Sequence, residues 1–95
     1  MLLNVPYKQG DTVSLKLSSG EEMVARLEEE KGGELILSKP MMIAATQEGL
    51  GLAPFMFSVS ADTKIPVKME NVLCVVKTED EFAKQYIQNT TGIAT

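Results

Sequence analysis

The sequence predicts a mainly β fold, a small antiparallel β-barrel or meander followed by a short C-terminal helix. Three observations carry that expectation. Val13, Leu15 and Leu17 alternate with Thr12, Ser14, Lys16 and Ser18, the period-two pattern of a strand with one buried face. Met23, Ala25 and Leu27 then alternate with Glu22, Val24, Arg26 and Glu28, across a turn, Ser18-Ser19-Gly20-Glu21, in which Gly20 is free to take positive φ. Near the end, Thr78-Glu79-Asp80-Glu81 has the form of a capping box and opens a segment with Phe82 and Tyr86 four residues apart, the spacing of one helix face.

In chain order, residues 1–9 are a lead-in, with Pro6 opposing helix at Val5 and Tyr7 placed to pack over one end of the barrel. Gly10-Asp11 signals a turn before the first strand, expected over residues 12–18, and the second is expected over 22–29. Glu28-Glu29-Glu30 reads as a solvated strand end, because consecutive strand residues face alternate sides and cannot converge on one cation. Lys31-Gly32-Gly33 breaks the pattern, and Leu35-Ile36-Leu37 resumes it as a third strand. Pro40 removes a ladder donor and implies a bulge, bend or edge. Residues 46–51 read as a loop or wide turn, residues 52–60 as a fourth strand with an irregular start, and residues 72–76 as the last. Ile65 and Val67 alternate with Lys64 and Lys68, Pro66 lying between them. The helix, expected over about 79–88, is too short to stand alone and must dock. Residues 1–95 are expected to form a single domain, the barrel occupying about 11–77.

Thirteen acids against nine cations, only Arg26 among them an arginine, give a net charge of -4. That works against nucleic-acid binding, which draws non-specific affinity from phosphate neutralisation. With one cysteine and no histidine, neither an intrachain disulfide, a Cys/His zinc site nor a histidine general base can be assembled. Cys74, inside an apolar run, reads as a buried structural thiol. The N-terminus lacks the form of a signal peptide, and no run approaches the ~18 apolar residues of a membrane span. An intracellular, cytoplasmic protein without membrane contact is expected, with no cofactor and no metal. No nucleophile elbow or phosphate-loop glycine pattern is present, so no enzyme is expected.

Three stretches are apolar on both faces: Met41-Met42-Ile43-Ala44-Ala45, Phe55-Met56-Phe57 and Val72-Leu73-Cys74-Val75-Val76. A small barrel hides one face of each strand, so these predict contact with another chain, a local two-layer sandwich being the alternative. The candidate interface residues are Phe55, Met56, Phe57, Val72, Leu73 and Val75.

From Asp11 to Lys77 the order of strands, glycine turns and loops resembles the Sm-like (Sm/LSm/Hfq) fold, which implies a small five-stranded, strongly bent antiparallel SH3-like barrel. Val13-x-Leu15-x-Leu17-x-x-Gly20 is similar to the opening of the family's first motif, and Ala25-Arg26-Leu27 falls where the family has Gly-x-Leu. Glu34-Leu35-Ile36-Leu37 resembles its Asn-centred loop end, with Glu34 in place of the asparagine and Glu30 in place of the aspartate. Val67-Lys68-Met69-Glu70-Asn71-Val72 echoes the second motif, Ile/Leu-Arg-Gly-x-x-Val. The chain as a whole is also similar to Sm-like proteins of marine phage type, which implies the host cytoplasm. The resemblance implies a cyclic homo-oligomer in which the fourth strand, placed at Phe55-Met56-Phe57, pairs with a neighbour's fifth, placed at residues 72–76. It further implies that single-stranded nucleic acid, RNA first, is held at the two loops, where Lys68 keeps the family's cation by residue type. Lys31 and Asn71 are the next candidates. The family's loop aromatic is missing from Lys31-Gly32-Gly33-Glu34, and its helix is N-terminal whereas this one is C-terminal. The alternative from another class is a structural or adaptor oligomer that binds protein through apolar strand edges.

Overall fold

The computed structural model describes residues 7–91; Val5 and Pro6, where the sequence opposes helix, lie outside them. The elements are β1 (Thr12–Leu17), β2 (Glu22–Lys31), β3 (Glu34–Thr46), β4 (Gly49–Pro54), β5 (Lys64–Lys68), a 3-10 turn (Met69–Asn71), β6 (Val72–Lys77) and α1 (Asp80–Thr91). All strand pairs are antiparallel, in the order β4-β3-β2-β1-β6, with β5 also on β3. Strand β3 is long enough to carry β5 along its first half and β4 along its second, end to end on one edge. The sheet is strongly bent and its ends stay open, so six strands make an unclosed barrel.

Its inner face is the alternation read from the sequence. Val13, Leu15, Leu17, Met23, Ala25, Leu27, Leu35 and Leu37 form one buried cluster, with Tyr7, Met42, Phe55, Val67, Met69, Val72 and Val75 packed around it. Three extra residues bend the sheet, each where the register shifts: Leu73 on β6, Glu28 on β2, and one residue at Lys39-Pro40 on β3. The first explains a two-sided apolar run. Because Leu73 bulges, Val72 and Val75 both turn inward, opposite Leu17 and Leu15, while Leu73 is 67% exposed.

At the β3 bulge Lys39 has φ +49, a left-handed conformation costly for a side chain with Cβ. Lys39→Gly is therefore expected to raise stability, by up to about 1 kcal/mol after the added freedom of the unfolded chain, read as a higher urea midpoint. The same bulge turns the carbonyls of Ser38 and Lys39 toward α1. Tyr86 donates its hydroxyl hydrogen to Lys39 O at 2.7 Å, with Ser38 O at 3.3 Å.

Helix α1 lies over the outer face. Phe82 borders Ser14, Ile43 and Leu50, and one turn later Tyr86 borders Thr12, Arg26 and Ser38. Val24, in the row between Ser14 and Met41, is fully buried there although it is not part of the inner cluster. Half of the Met41-Met42-Ile43 run is thus covered from outside, and Met42 from inside. The expected capping of Glu81 by Thr78 is not made: α1 begins at Asp80, and the Thr78 hydroxyl is 2.8 Å from Ser14 Oγ.

Four further expectations are corrected. Residues 55–60 are not a strand; the fourth strand is Gly49–Pro54, and Phe55 onward leaves the sheet because Pro54 and the turn to β5 end the ladder. The expected wide loop at 46–51 is a two-residue turn, Gln47-Glu48, between Thr46 and Gly49. Lys64–Lys68 is a full strand despite Pro66. Cys74 is exposed, since its register partner Lys16 faces outward.

Candidate nucleic-acid interface

The two loops singled out in the sequence meet. Met69 N–H donates to Gly33 O at 2.9 Å, tying the β5–β6 turn to the β2–β3 loop. Gly32 (φ +61) and Gly33 (φ +78) are both left-handed, so the two-residue turn depends on the absence of side chains there. Gly32, Gly33, Glu34, Lys68, Met69 and Glu70 line an open cleft of about 540 Å³ at this end of the sheet.

Register fixes the charges. Lys31 pairs with Glu34, and Glu34 pairs with Lys68, so the three side chains stand in one cross-strand row, cation, anion, cation, over β2, β3 and β5. With strands about 4.8 Å apart, the two lysines are roughly 10 Å from one another. Lys31 also lies 3.9 Å from Glu29, an exposed pair worth little in water. No ion pair engages Lys68 among the described residues. Glu70 adds a second carboxylate to the cleft.

Lys68 therefore lines the cleft, Lys31 flanks it from the row, and Asn71 sits exposed at the end of the 3-10 turn, its carbonyl accepting from Ser18 N–H at 2.8 Å. Of the candidate interface residues, Phe55, Val72 and Val75 pack on the inner cluster, whereas Met56, Phe57 and Leu73 are exposed, Phe57 by 81%. Sequence reasoning missed a second polar cavity of about 340 Å³ beneath α1, where Arg26, Lys39 and Lys64 converge with Glu28, Asp62 and Tyr86. There Glu28 Oε2 accepts from Ser38 Oγ at 2.6 Å and lies 3.4 Å from Arg26 Nε. These groups come from separate strands and a loop, so no local spacing in the sequence announces them.

Among solved structures the chain is similar to the P. aerophilum SmAP1 heptamer, with TM-score 0.51 and 18% identity over 74% of this chain and 81% of that one. The fold is Sm-like. A heptameric archaeal Sm protein described for its implications for the eukaryotic snRNP core matches equally, with TM-score 0.51 and 18% identity over 74% of this chain and 88% of that one. No family model and no curated protein sequence matches the chain. Within the Sm-like arrangement the strand after the β3–β4 hairpin, β5, takes the position before the 3-10 turn that the sequence reading gave to Phe55-Met56-Phe57.

Proposed function

We propose that the chain is a non-enzymatic subunit of an Sm-like homo-oligomeric ring that binds single-stranded nucleic acid, RNA in the first instance. The observation that carries this is the meeting of the two loops at Gly33 and Met69, with Lys68 in the cleft between them. The two solved structures described above are heptameric Sm proteins, which supports the ring. Among the described residues strand β5 and strand β6 each have a free edge, and pairing β5 of one copy with β6 of the next covers both of these edges in such a ring.

Lys31, Glu34 and Lys68 sum to one positive charge per chain, which rotational symmetry multiplies around the ring. Without a loop aromatic the site forgoes ~1–3 kcal/mol of stacking per base, so binding is expected to be weak and steeply salt-dependent. Lys68→Ala is expected to abolish retention on single-stranded oligonucleotide at low salt. Glu34→Gln, which removes the anion from the row, is expected to tighten binding by roughly 3–10-fold. Unchanged affinity of both variants in a fluorescence-anisotropy titration sinks this reading.

One observation favours a second reading, an adaptor oligomer that binds protein: Glu29, Glu34 and Glu70 together outnumber the two lysines around the cleft, and Phe57 stands exposed on the β4–β5 loop. Wild-type protein that passes unretained through oligonucleotide resin at low salt selects it.

A further inference from the structure

Among the described residues strand β4 is a third free edge, besides those of β5 and β6. Turn Gln47-Glu48 joins Thr46 to Gly49, and Phe55 N–H donates to Pro40 O at 3.0 Å. The alternation between these bonds assigns Gly49, Gly51 and Ala53 to the hydrogen-bonded positions against β3. Leu50, Leu52 and Pro54 therefore turn their main-chain groups away from β3, and no other strand among the described residues takes them. Edges are normally blunted by lysine or proline. By the same alternation, started from Met69 N–H on Gly33 O, Pro66 faces the free edge of β5 between Lys64 and Lys68. Strand β4 carries no charge, and its one proline, Pro54, stands at the strand's end, outside the Leu50–Leu52 stretch.

Its side chains point the same way. Leu50 and Leu52 share the outer face, in register with Ala45 and Ile43, and Leu50 is 66% exposed. Beside them lies a cleft of about 520 Å³ between β4 and α1, lined by Leu50, Gly51, Leu52, Phe82, Gln85 and Asn89.

We propose that β4 is a two-fold interface, pairing edge to edge and antiparallel with β4 of a second copy of this chain. The strand is self-complementary about Gly51. Placing the dyad there sets Leu50 opposite the partner's Leu52 and the reverse, at hydrogen-bonded positions. Both N–H and both C=O groups of Leu50 and Leu52 are then satisfied on each chain, giving four main-chain bonds. The same register lays the leucines of the two chains side by side on the face bordered by the cleft. No like charges are opposed, since Glu48, the nearest ionised residue along the strand, stands across from the partner's Pro54. The two Glu48 residues end about 20 Å apart, beyond the Debye length at physiological salt. This contact uses neither β5 nor β6, so it is independent of the ring.

The test is the mass of the native assembly by light scattering and native mass spectrometry, for the wild-type chain, Leu50→Lys and Leu50→Pro. Leu50 is exposed and its N–H points away from β3, so neither change touches the β3 ladder. An even number of chains in the wild type that halves in both variants is the expected result, with the dissociation constant of that step raised about 100-fold or more. A wild-type dimer that becomes monomeric in the variants upholds the β4 contact and removes the ring. An odd number of chains, or a mass unaltered by both substitutions, overturns the β4 contact and leaves the ring standing. Heterogeneous growth without a defined even species also overturns it.

Discussion

Tyr86→Ala is expected to destabilise the protein by about 3–5 kcal/mol, the range for truncating a buried aromatic side chain. Tyr86 is 2% exposed and is the buried residue of α1, so its ring carries most of the docking of a helix that cannot persist alone. Its hydroxyl has a separate role, which Tyr86→Phe isolates. That change leaves the ring in place and removes the donor for Lys39 O and Ser38 O, at a cost of about 1–3 kcal/mol for carbonyls left unpaired. The pH profile tells the two apart. Burial, only partly offset by Arg26, pushes the Tyr86 hydroxyl up to about 12. An unfolded tyrosine ionises near pH 10, so above that the unfolded chain releases a proton which the folded chain still holds. The stabilisation is therefore complete below pH 10 and is lost as pH rises toward 12, by roughly 2–3 kcal/mol. The difference between wild type and Tyr86→Phe in urea midpoint should shrink over that window, because lysine and Tyr7 titrations are common to both. A difference that stays constant from pH 8 to 11.5 removes the buried hydroxyl from the account.

How far the sequence reached follows from which interactions are local. The alternation in β1 and β2 and the start of β3 was legible because each residue's face is set by its immediate neighbours, and all eight members of the inner cluster fall in those runs. What was not legible depends on residues that break the period. A bulge at Leu73 reverses the faces of everything after it, so a stretch that reads as apolar on both sides becomes Val72 and Val75 inward and Cys74 outward. Likewise, Phe55-Met56-Phe57 has the composition of a strand, yet Pro54 precedes it and the chain must cross from β4 to β5 there. Composition scored the side chains and missed the ladder. Val24, an apolar residue on the polar face of β2, was a sign that α1 lies over that face.

The site was legible in part, for the same reason. Lys31 and Glu34 are a hairpin pair, close in sequence, and Lys68 was marked by the second-motif echo. The single row that joins all three exists only because β5 pairs with β3 in one register, and sequence spacing across 34 residues fixes no register. The cluster under α1 is still less accessible, since Arg26, Lys39 and Lys64 have no periodic relation.

That dependence on register makes Leu37 the position where stability and site are coupled most tightly. Leu37 is fully buried, paired with Leu27 of β2 on one side and Ile65 of β5 on the other. Leu37→Ala is expected to cost about 3–5 kcal/mol, transfer plus cavity, since three strands fix the walls around it and limit their collapse. Against a total stability of about 5–15 kcal/mol this leaves a folded but weakened protein in all but the lowest case. The weakening is unevenly spread. Strand β5 has five residues, one of them proline, and holds to the sheet through β3 alone, so losing the Leu37 contact loosens β5 before the rest. Amide exchange at Met69, whose N–H reaches Gly33, should accelerate in Leu37→Ala beyond the amides of β1, and Lys68 should leave the row with it. Tyr86→Phe, which acts on the outer face at the carbonyls of Ser38 and Lys39 and leaves the inner Leu37 contact intact, should leave Met69 protected relative to the global rate. If both variants free Met69 and the β1 amides to the same extent, the sheet opens as one unit, and Leu37 contributes to the site only through overall stability.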